Sequence, residues 1–142
     1  MTSQDKLERL FEMQAKLNDY VFKKRNIRNV DGQQLTMFGL LDEADKQLDL
    51  TSNGDTNTWL MRYLKALLEE GKEVEELLHW KFWSSSMLDL PHIQEEIIDI
   101  LHFWISLALV SGMDADTVFT KYIEKNQVNI ERQDNNYVAK SG

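Results

Sequence analysis

Proline and glycine are scarce in this chain, and that scarcity is what most limits the folds open to it. One proline, Pro91, and six glycines occur in 142 residues, and no long run of β-branched residues alternates with polar ones. Proline and glycine disfavour helices most, and strict alternation is the pattern of strands. The sequence therefore predicts an all-α fold, a bundle of four to five helices. The length suits one domain, over residues 1–142, with a core of its own.

Apolar residues at three-and-four spacing indicate where the helices lie. The predicted ranges are about 3–24, a shorter helix within 35–50, then 59–80, 91–111 and 114–133. Asp31 and Gly32 predict a turn in the charged loop after the first helix. The polar tail, about 134–142, is expected to fray or to dock only on a ligand.

Residue types near the predicted helix ends indicate how those ends are satisfied. Serine, threonine, asparagine and aspartate are the preferred N-caps. The candidate N-caps are Ser3, Thr56 or Asn57, and Asp114 or Asp116. Pro91 suits the first turn of the fourth helix, and Gly112 is a plausible C-cap for it.

Charge and cysteine content exclude several classes of function. A formal net charge of -8 opposes general binding to nucleic acid or to an anionic membrane surface, since both require a positive face. There is no cysteine, so nothing indicates a thiolate nucleophile, a sulfur-ligated zinc site or an oxidising compartment. The first residues, MTSQDKLERLFEM, lack the continuous apolar stretch of a signal peptide. We therefore expect a cytoplasmic location.

Two acidic pairs of equal spacing lie on the third and fourth predicted helices. Glu70 with Glu73, and Glu96 with Asp99, are each three residues apart, so each pair projects from one side of its helix. On a helical wheel Glu70 falls inside an apolar arc, and Glu73 lies on its edge, about 60° away. The arc consists of Trp59, Tyr63, Leu67, Val74 and Leu77. The residues that point to the opposite, solvated side are Glu69, Glu75 and Glu76.

If the two pairs face each other, they form a box of four carboxylates. Two carboxylates about 4 Å apart repel by about 4 kcal/mol at an effective dielectric near 20, so the box requires cations or partial protonation. Mostly oxygen ligands favour Mg²⁺ or Mn²⁺ over zinc. Structural ion pairs with Lys and Arg are an alternative that fits the spacing equally well. His102 shares this arc, but such a histidine is more often satisfied within the core than a ligand.

The fourth predicted helix, PHIQEEIIDILHFWISLALVSG, is apolar almost all the way round. A helix of this kind is normally buried. We therefore expect neighbouring helices to cover most of its surface. Carboxylates on a buried helix must find partners, because an unpaired buried ion is costly.

Polar stripes on the first and last helices supply further candidates. Gln14 and Asn18 lie one turn apart within an apolar stripe, and a carboxamide matches the O4 acceptor and N3–H donor of uracil. Core amides bonded to backbone groups are the alternative that the pattern alone favours. Lys125, Asn129 and Arg132 fall within about 60° on the fifth helix, where they could hold phosphate oxygens. An ordinary solvated stripe explains those three equally well.

Several stretches together resemble the all-α NTP pyrophosphohydrolases, the superfamily that contains MazG-like enzymes and dimeric dUTPases. The first is Glu70-x-x-Glu73, followed after twenty-two residues by Glu96-x-x-Asp99. The stretches FEMQAKLND, HWKFW, DILHF and KYIEKNQVNIERQDNNY narrow the resemblance to the dimeric, all-α dUTPases. The similarity covers most of the chain and is weakest over residues 25–58. The resemblance implies a bundle of the all-α NTP pyrophosphohydrolase type.

The resemblance also implies roles for individual residues. Glu70, Glu73, Glu96 and Asp99 would bind two or more Mg²⁺ ions, or Mn²⁺ in their place, and Glu73 would orient or deprotonate the attacking water. A register one turn later, Glu73 with Glu76, also fits the E-x-x-E pattern.

The remaining implied roles concern the nucleotide itself. Gln14 and Asn18 would recognise the base, and either Trp59 or Tyr63 would wall it. The residues that would contact the phosphates are Lys125, Asn129, Arg132, Asn126 and Tyr137.

These observations lead to three hypotheses about function. The first is a homodimeric, Mg²⁺-dependent dUTP diphosphatase that converts dUTP, and also dUDP, to dUMP. The second is a broader MazG-like nucleoside triphosphate pyrophosphohydrolase with a loose base pocket. The third is a non-catalytic helical interaction module in which the acids form structural ion pairs.

Overall fold

The computed structural model describes residues 5–46, 54–85 and 87–135, and these ranges form five helices and no strand. The helices are α1 (Lys6–Lys24), α2 (Met37–Ala44), α3 (Asp55–Leu77), α4 (Leu90–Val110) and α5 (Ala115–Asp134). The all-α prediction is therefore confirmed. The scarcity of proline and glycine leaves each long amphipathic segment free to form one continuous helix.

Side-chain and backbone caps account for several helix ends. Asp5 accepts a hydrogen bond from the Glu8 amide and caps α1, whereas the predicted cap Ser3 lies outside the described residues. Asp114 caps α5, as one of the two predictions proposed. Gly112 follows the end of α4 at φ +92°, and the next amide, of Met113, donates to the Ala108 carbonyl. This is the Schellman ending, in which glycine adopts the left-handed conformation at least cost.

The prediction for α3 was wrong at both ends. The helix begins at Asp55 after Gly54, so neither Thr56 nor Asn57 is its cap. The Asp55 carboxylate instead accepts from the Val30 amide, 3.1 Å away, and thereby ties the start of α3 to the loop after α1. That tertiary bond cannot be seen in local sequence. At the other end α3 stops at Leu77, because Leu78 is extended.

The pairing of α3 with α4 is the most extensive contact among the five described helices. Tyr63 on α3 contacts the ring of Phe103 on α4, and farther along α3 Glu70 meets Glu96. Rising numbers on one helix therefore match falling numbers on the other, and the pair is antiparallel. Around this pair α1 and α2 complete one core. The buried apolar residues include Phe11, Phe22, Leu35, Met37, Leu40, Trp59, Tyr63, Ile105, Leu109 and Val110.

The outer face of α4 contradicts the expectation that this helix is covered on nearly all sides. Ile97, Ile98, Leu101 and Trp104 are all exposed. Ile98, Leu101 and Trp104 are each three residues apart, and Ile97 precedes Ile98. The four side chains therefore form one apolar stripe along the side of α4 that faces away from α3. Because α1, α2 and α3 do not surround α4 completely, this stripe is exposed within the described part of the chain.

The last helix projects from the bundle. α5 is bent by 101° from α4, and from Phe119 to Asn135 every residue is exposed. The exposed side chains include five large apolar ones, Phe119, Tyr122, Ile123, Val128 and Ile130. Within the described ranges, none of the helices taken singly has the length and apolar character to cross a membrane.

The core ring of Phe22 offers a test of this packing. Phe22 is 1 % exposed and meets Trp59 edge to face at 5.0 Å. Phe22→Ala should lower the free energy of unfolding by about 3–5 kcal/mol, because it removes buried apolar contacts and leaves a cavity. Urea unfolding followed by circular dichroism measures this loss. Phe38→Ala is the matched control, since Phe38 is 80 % exposed; equal losses from both variants would contradict the described core.

Candidate metal centre and amide pair

Three carboxylates converge where α3 and α4 pass each other. Glu70 from α3 and Glu96 and Asp99 from α4 each offer one oxygen, and these oxygens all lie within 4.8 Å of one another. The i, i+3 spacing on α4 puts Glu96 and Asp99 on one side of the helix, and the antiparallel pairing brings Glu70 to them. The group could hold a metal ion.

The electrostatics of Glu70 reflect this crowding. Burial raises the pKa of Glu70, and contacts with Glu96 and Glu73 and the charge of Asp99 raise it further, to about 7. All the neighbouring groups that act on this pKa are acids. Near neutral pH, Glu70 in the metal-free cluster therefore holds a proton more readily than an isolated glutamate does.

Two oxygens of the cluster fit a metal ion better than they fit structural ion pairs. Glu70 Oε2 and Glu96 Oε2 are buried and receive no hydrogen bond. Glu96 does meet one side-chain partner, His92 Nε2, at 3.5 Å from its other oxygen. Buried polar atoms without a partner are rare in folded proteins. An oxygen-rich site with unsatisfied ligand atoms suits a hard divalent cation.

The other glutamates of α3 divide as the helical wheel predicted. Glu69, Glu75 and Glu76 are exposed. Glu73 is also exposed, at the rim of the cluster, and its charge acts on Glu70. Glu76, the alternative partner in the shifted register, instead lines a surface cavity with His79, Trp80 and Lys81 of the loop that follows α3.

The amide pair on α1 contacts α4 one to two turns beyond Asp99. Gln14 and Asn18 are both buried, and Gln14 Nε2 donates to Asn18 Oδ1 at 2.9 Å. Asn18 Nδ2 donates to Ser106 Oγ at 3.1 Å, and His102 Nδ1 lies 2.5 Å from Gln14 Oε1. The partners of these amides are therefore side chains, not the backbone groups that the alternative interpretation required. His102 is satisfied by Gln14 at the surface and not within the core.

Ser106 is the member of this group to which the sequence assigned no role. It is fully buried, and its hydroxyl donates to the carbonyl of His102 at 2.9 Å. The sequence feature that could have indicated a role for Ser106 is its position four residues after His102, on the same polar arc of α4.

An apolar groove between α1 and α4 opens beside the amide pair. Its volume is about 430 Å³, within the range of small-molecule sites. The lining residues are Leu10, Met13, Gln14, Leu17, Ile98, Leu101, His102 and Ile105. Gln14 and His102 are thus the polar groups in an otherwise aliphatic groove.

The two aromatic residues predicted as base walls lie in the core. Trp59 packs between Phe22 and Tyr63, with ring centroids 5.0 and 5.6 Å away. Burial and the charge of Asp19 raise the pKa of the Tyr63 hydroxyl far above its usual value. Neither ring lines the groove beside Gln14.

The predicted phosphate-binding stripe lies on the projecting part of α5. Lys125, Asn126, Asn129 and Arg132 are exposed there, and Tyr137 lies outside the described residues. With a rise of about 1.5 Å per residue, the 101° bend puts Lys125 about 20 Å from Asp99 in the same chain. A single chain in this conformation does not bring the stripe to the acid cluster.

Comparisons with known proteins bear on this site. A family model described as dUTPase matches residues 6–114, which include the acid cluster and the amide pair. The chain is also 31% identical over 103 residues to a protein of Enterobacteria phage T4 named dCTP pyrophosphatase. The match covers 72% of this chain and 52% of that relative, so the chain spans about half the relative's length. No solved structure matches.

The raised pKa of Glu70 predicts a pH dependence of stability in metal-free protein. A carboxyl whose pKa is higher in the folded state than in the unfolded state binds its proton more tightly when folded, so its contribution falls as pH rises from about 4.5 to about 7. Urea unfolding in EDTA at pH 5.5 and pH 8 should show a smaller loss of stability for Glu70→Gln than for wild type. Glu69→Gln, on the exposed side, is the control. A loss in Glu70→Gln that equals wild type would contradict the crowded cluster.

Proposed function

The chain belongs to the dUTPase family, and from this premise we propose that it is a Mg²⁺-dependent dUTP diphosphatase. It would hydrolyse dUTP, and also dUDP, to dUMP. The observation that carries the proposal is the cluster of Glu70, Glu96 and Asp99. One buried oxygen of Glu70 and one of Glu96 receive no hydrogen bond. The cluster lies one turn before His102 on α4. The absence of cysteine fits the cytoplasm, where we expect the reaction to occur.

The acid cluster would serve the triphosphate end of the substrate. Glu70, Glu73, Glu96 and Asp99 would hold the cations, which when bound would neutralise phosphate charge and lower the pKa of water. Glu73 is exposed at the rim of the cluster. Its carboxylate is therefore accessible to an attacking water and can accept a proton from it. We therefore assign the general-base role to Glu73.

The amide pair and the groove beside it would hold the base. Asp99 and His102 are one turn apart, about 5 Å along the helix axis, so a nucleotide with its phosphates at the acids would extend its base towards Gln14. The aliphatic groove walls would cover the ring. Trp59 and Tyr63 would then support the site from the core and not touch the base.

A second copy of the chain would complete the site. The exposed stripe on α4 would pair with the same stripe of the partner, as in an isologous interface, and the partner would then cover the outer side of the groove at Ile98 and Leu101. Since Lys125 is about 20 Å from Asp99 in its own chain, we propose that Lys125, Asn129 and Arg132 contact phosphates bound to the partner's acid cluster. Asn126 and Tyr137 would assist from the same helix and the tail.

Two other enzymatic functions are alternatives. The dCTP pyrophosphatase relative supports a diphosphatase with cytosine preference built on the same acids. A broader MazG-like nucleoside triphosphate pyrophosphohydrolase is the second, and it would accept several bases. Both retain the acid cluster and differ from the leading proposal in the base pocket.

The function is tested by assaying pyrophosphate release from dUTP, dCTP, dTTP and dATP with Mg²⁺. We expect dUTP to have the highest kcat/KM, and Glu73→Gln to lower kcat by about 10²- to 10⁴-fold, as loss of a general base does. Glu76→Gln is the matched control and should remain active. Equal rates for all four nucleotides would favour the broad enzyme, and highest kcat/KM with dCTP would favour the cytosine enzyme. No turnover and no Mg²⁺ effect on thermal stability would favour a non-catalytic module.

The shared site is tested by mixing two inactive variants, Glu73→Gln and Lys125→Ala/Arg132→Ala. If each site combines acids of one protomer with the α5 stripe of its partner, a mixed dimer contains one intact site. After random exchange about a quarter of wild-type activity should return, and light scattering should report a dimer. A dimer without any recovered activity would mean that each chain supplies its own stripe.

A further inference from the structure

The side chains around Gln14 form a closed circuit of hydrogen bonds. His102 contacts Gln14, Gln14 donates to Asn18, Asn18 donates to Ser106, and Ser106 donates back to the carbonyl of His102. The circuit joins α1 to α4, and all its contacts are between 2.5 and 3.1 Å.

The polarity of this circuit follows from its one backbone group. A carbonyl oxygen can only accept a hydrogen bond, so the Ser106 hydroxyl must donate its single hydrogen to the His102 carbonyl. The Ser106 oxygen then has only lone pairs for Asn18, which must present its NH₂ group. Asn18 Nδ2 also faces Met37 Sδ at 3.7 Å, and sulfur is a weak acceptor that an amide oxygen could not use.

The same reasoning continues to the histidine. With its nitrogen at Ser106, Asn18 turns its oxygen to Gln14, which must present its own NH₂. The Gln14 oxygen therefore faces His102 Nδ1, and a contact of 2.5 Å between them requires a hydrogen on Nδ1. The circuit thus requires a hydrogen on Nδ1 of His102, and neutral His102 is then the Nδ1–H tautomer.

Gln14 keeps two hydrogen-bonding groups that the circuit does not use. One Nε2 hydrogen and one lone pair of Oε1 remain, and Gln14 lines the groove between α1 and α4. Their relative positions cannot be exchanged, because turning the Gln14 amide over would put its NH₂ against the Nδ1 hydrogen of His102 and its oxygen against that of Asn18.

We propose that His102 is a positioning residue that fixes the Gln14 amide through its Nδ1 hydrogen and so makes the pocket choose uracil over cytosine. The inference rests on the proposed function. Uracil offers an N3–H donor beside the O4 acceptor, whereas cytosine offers an N3 acceptor beside an N4 donor. An amide that is held in one orientation matches one of these edges and opposes the other, and a site whose polar groups are left unpaired rejects a ligand strongly.

The tautomer of His102 is measured directly by ¹⁵N NMR of wild-type, metal-free protein at a pH where the ring is neutral. The chain has three histidines, His79, His92 and His102, so the His102 signal is assigned by comparison with His102→Asn. We expect a hydrogen-bearing Nδ1 and a bare Nε2. The opposite pattern would overturn the inference and would leave the proposed diphosphatase activity untouched.

The selectivity is measured as the ratio of kcat/KM for dUTP to that for dCTP. His102→Leu removes one of the two groups that orient the Gln14 amide and leaves only Asn18 to hold it, so the ratio should fall about tenfold, chiefly through KM. His102→Asn keeps a donor at the position of Nδ1 and should preserve the ratio. Ser106→Ala removes the hydrogen-bond partner of Asn18 and leaves His102 in place. This variant should also lower the dUTP-to-dCTP ratio. His79→Leu is the control and should change nothing.

Metal-free binding distinguishes failure of this inference from failure of the proposed function. Calorimetric titration with dUMP and dCMP should show tighter binding of dUMP to wild type, and a smaller preference for dUMP in His102→Leu. If wild type hydrolyses no nucleotide but still prefers dUMP, the function is wrong and the positioning role stands. If the preference is unchanged in both His102→Leu and Ser106→Ala, the circuit serves only the fold and the inference is wrong.

Discussion

Repulsion among the carboxylates between α3 and α4 is the constraint on which the rest of the structure depends. Glu70, Glu96 and Asp99 converge within 4.8 Å, which is unfavourable without a cation or a shared proton. The aromatic contact of Tyr63 with Phe103 and the core beneath it hold the two helices together despite that repulsion. Core packing thus holds α3 against α4, and the acid cluster between them attracts cations.

The acid cluster and the circuit of hydrogen bonds meet α4 along a single side of the helix. Acids occupy its N-terminal half, and His102 and Ser106 follow within about two turns. A rigid helix fixes the spacing between these groups more accurately than a loop would. Under the proposed function, base preference would therefore change through the circuit of side chains without moving the acids, which suits a family whose relatives include a protein named for dCTP.

Much of this arrangement could be predicted from the sequence, since it depends on helical periodicity. The spacing of Glu70, Glu96 and Asp99 and the inward amides of α1 follow from 3.6 residues per turn. The rest depends on contacts between distant segments. The start of α3 depends on the bond from Val30 to Asp55, and Trp59 is a core residue because Phe22 covers it. The exposed stripe on α4 was missed because apolar composition does not tell whether the covering surface belongs to the same chain.

The ending of α4 has a consequence for how this protein can evolve. Gly112 has φ +92°, and a β-carbon there would lie 3.3 Å from that of Ala44. Any other residue would meet both backbone strain and this close contact. Substitution of Gly112 is therefore disfavoured, and we expect related chains to retain this corner while the exposed surface of the last helix varies.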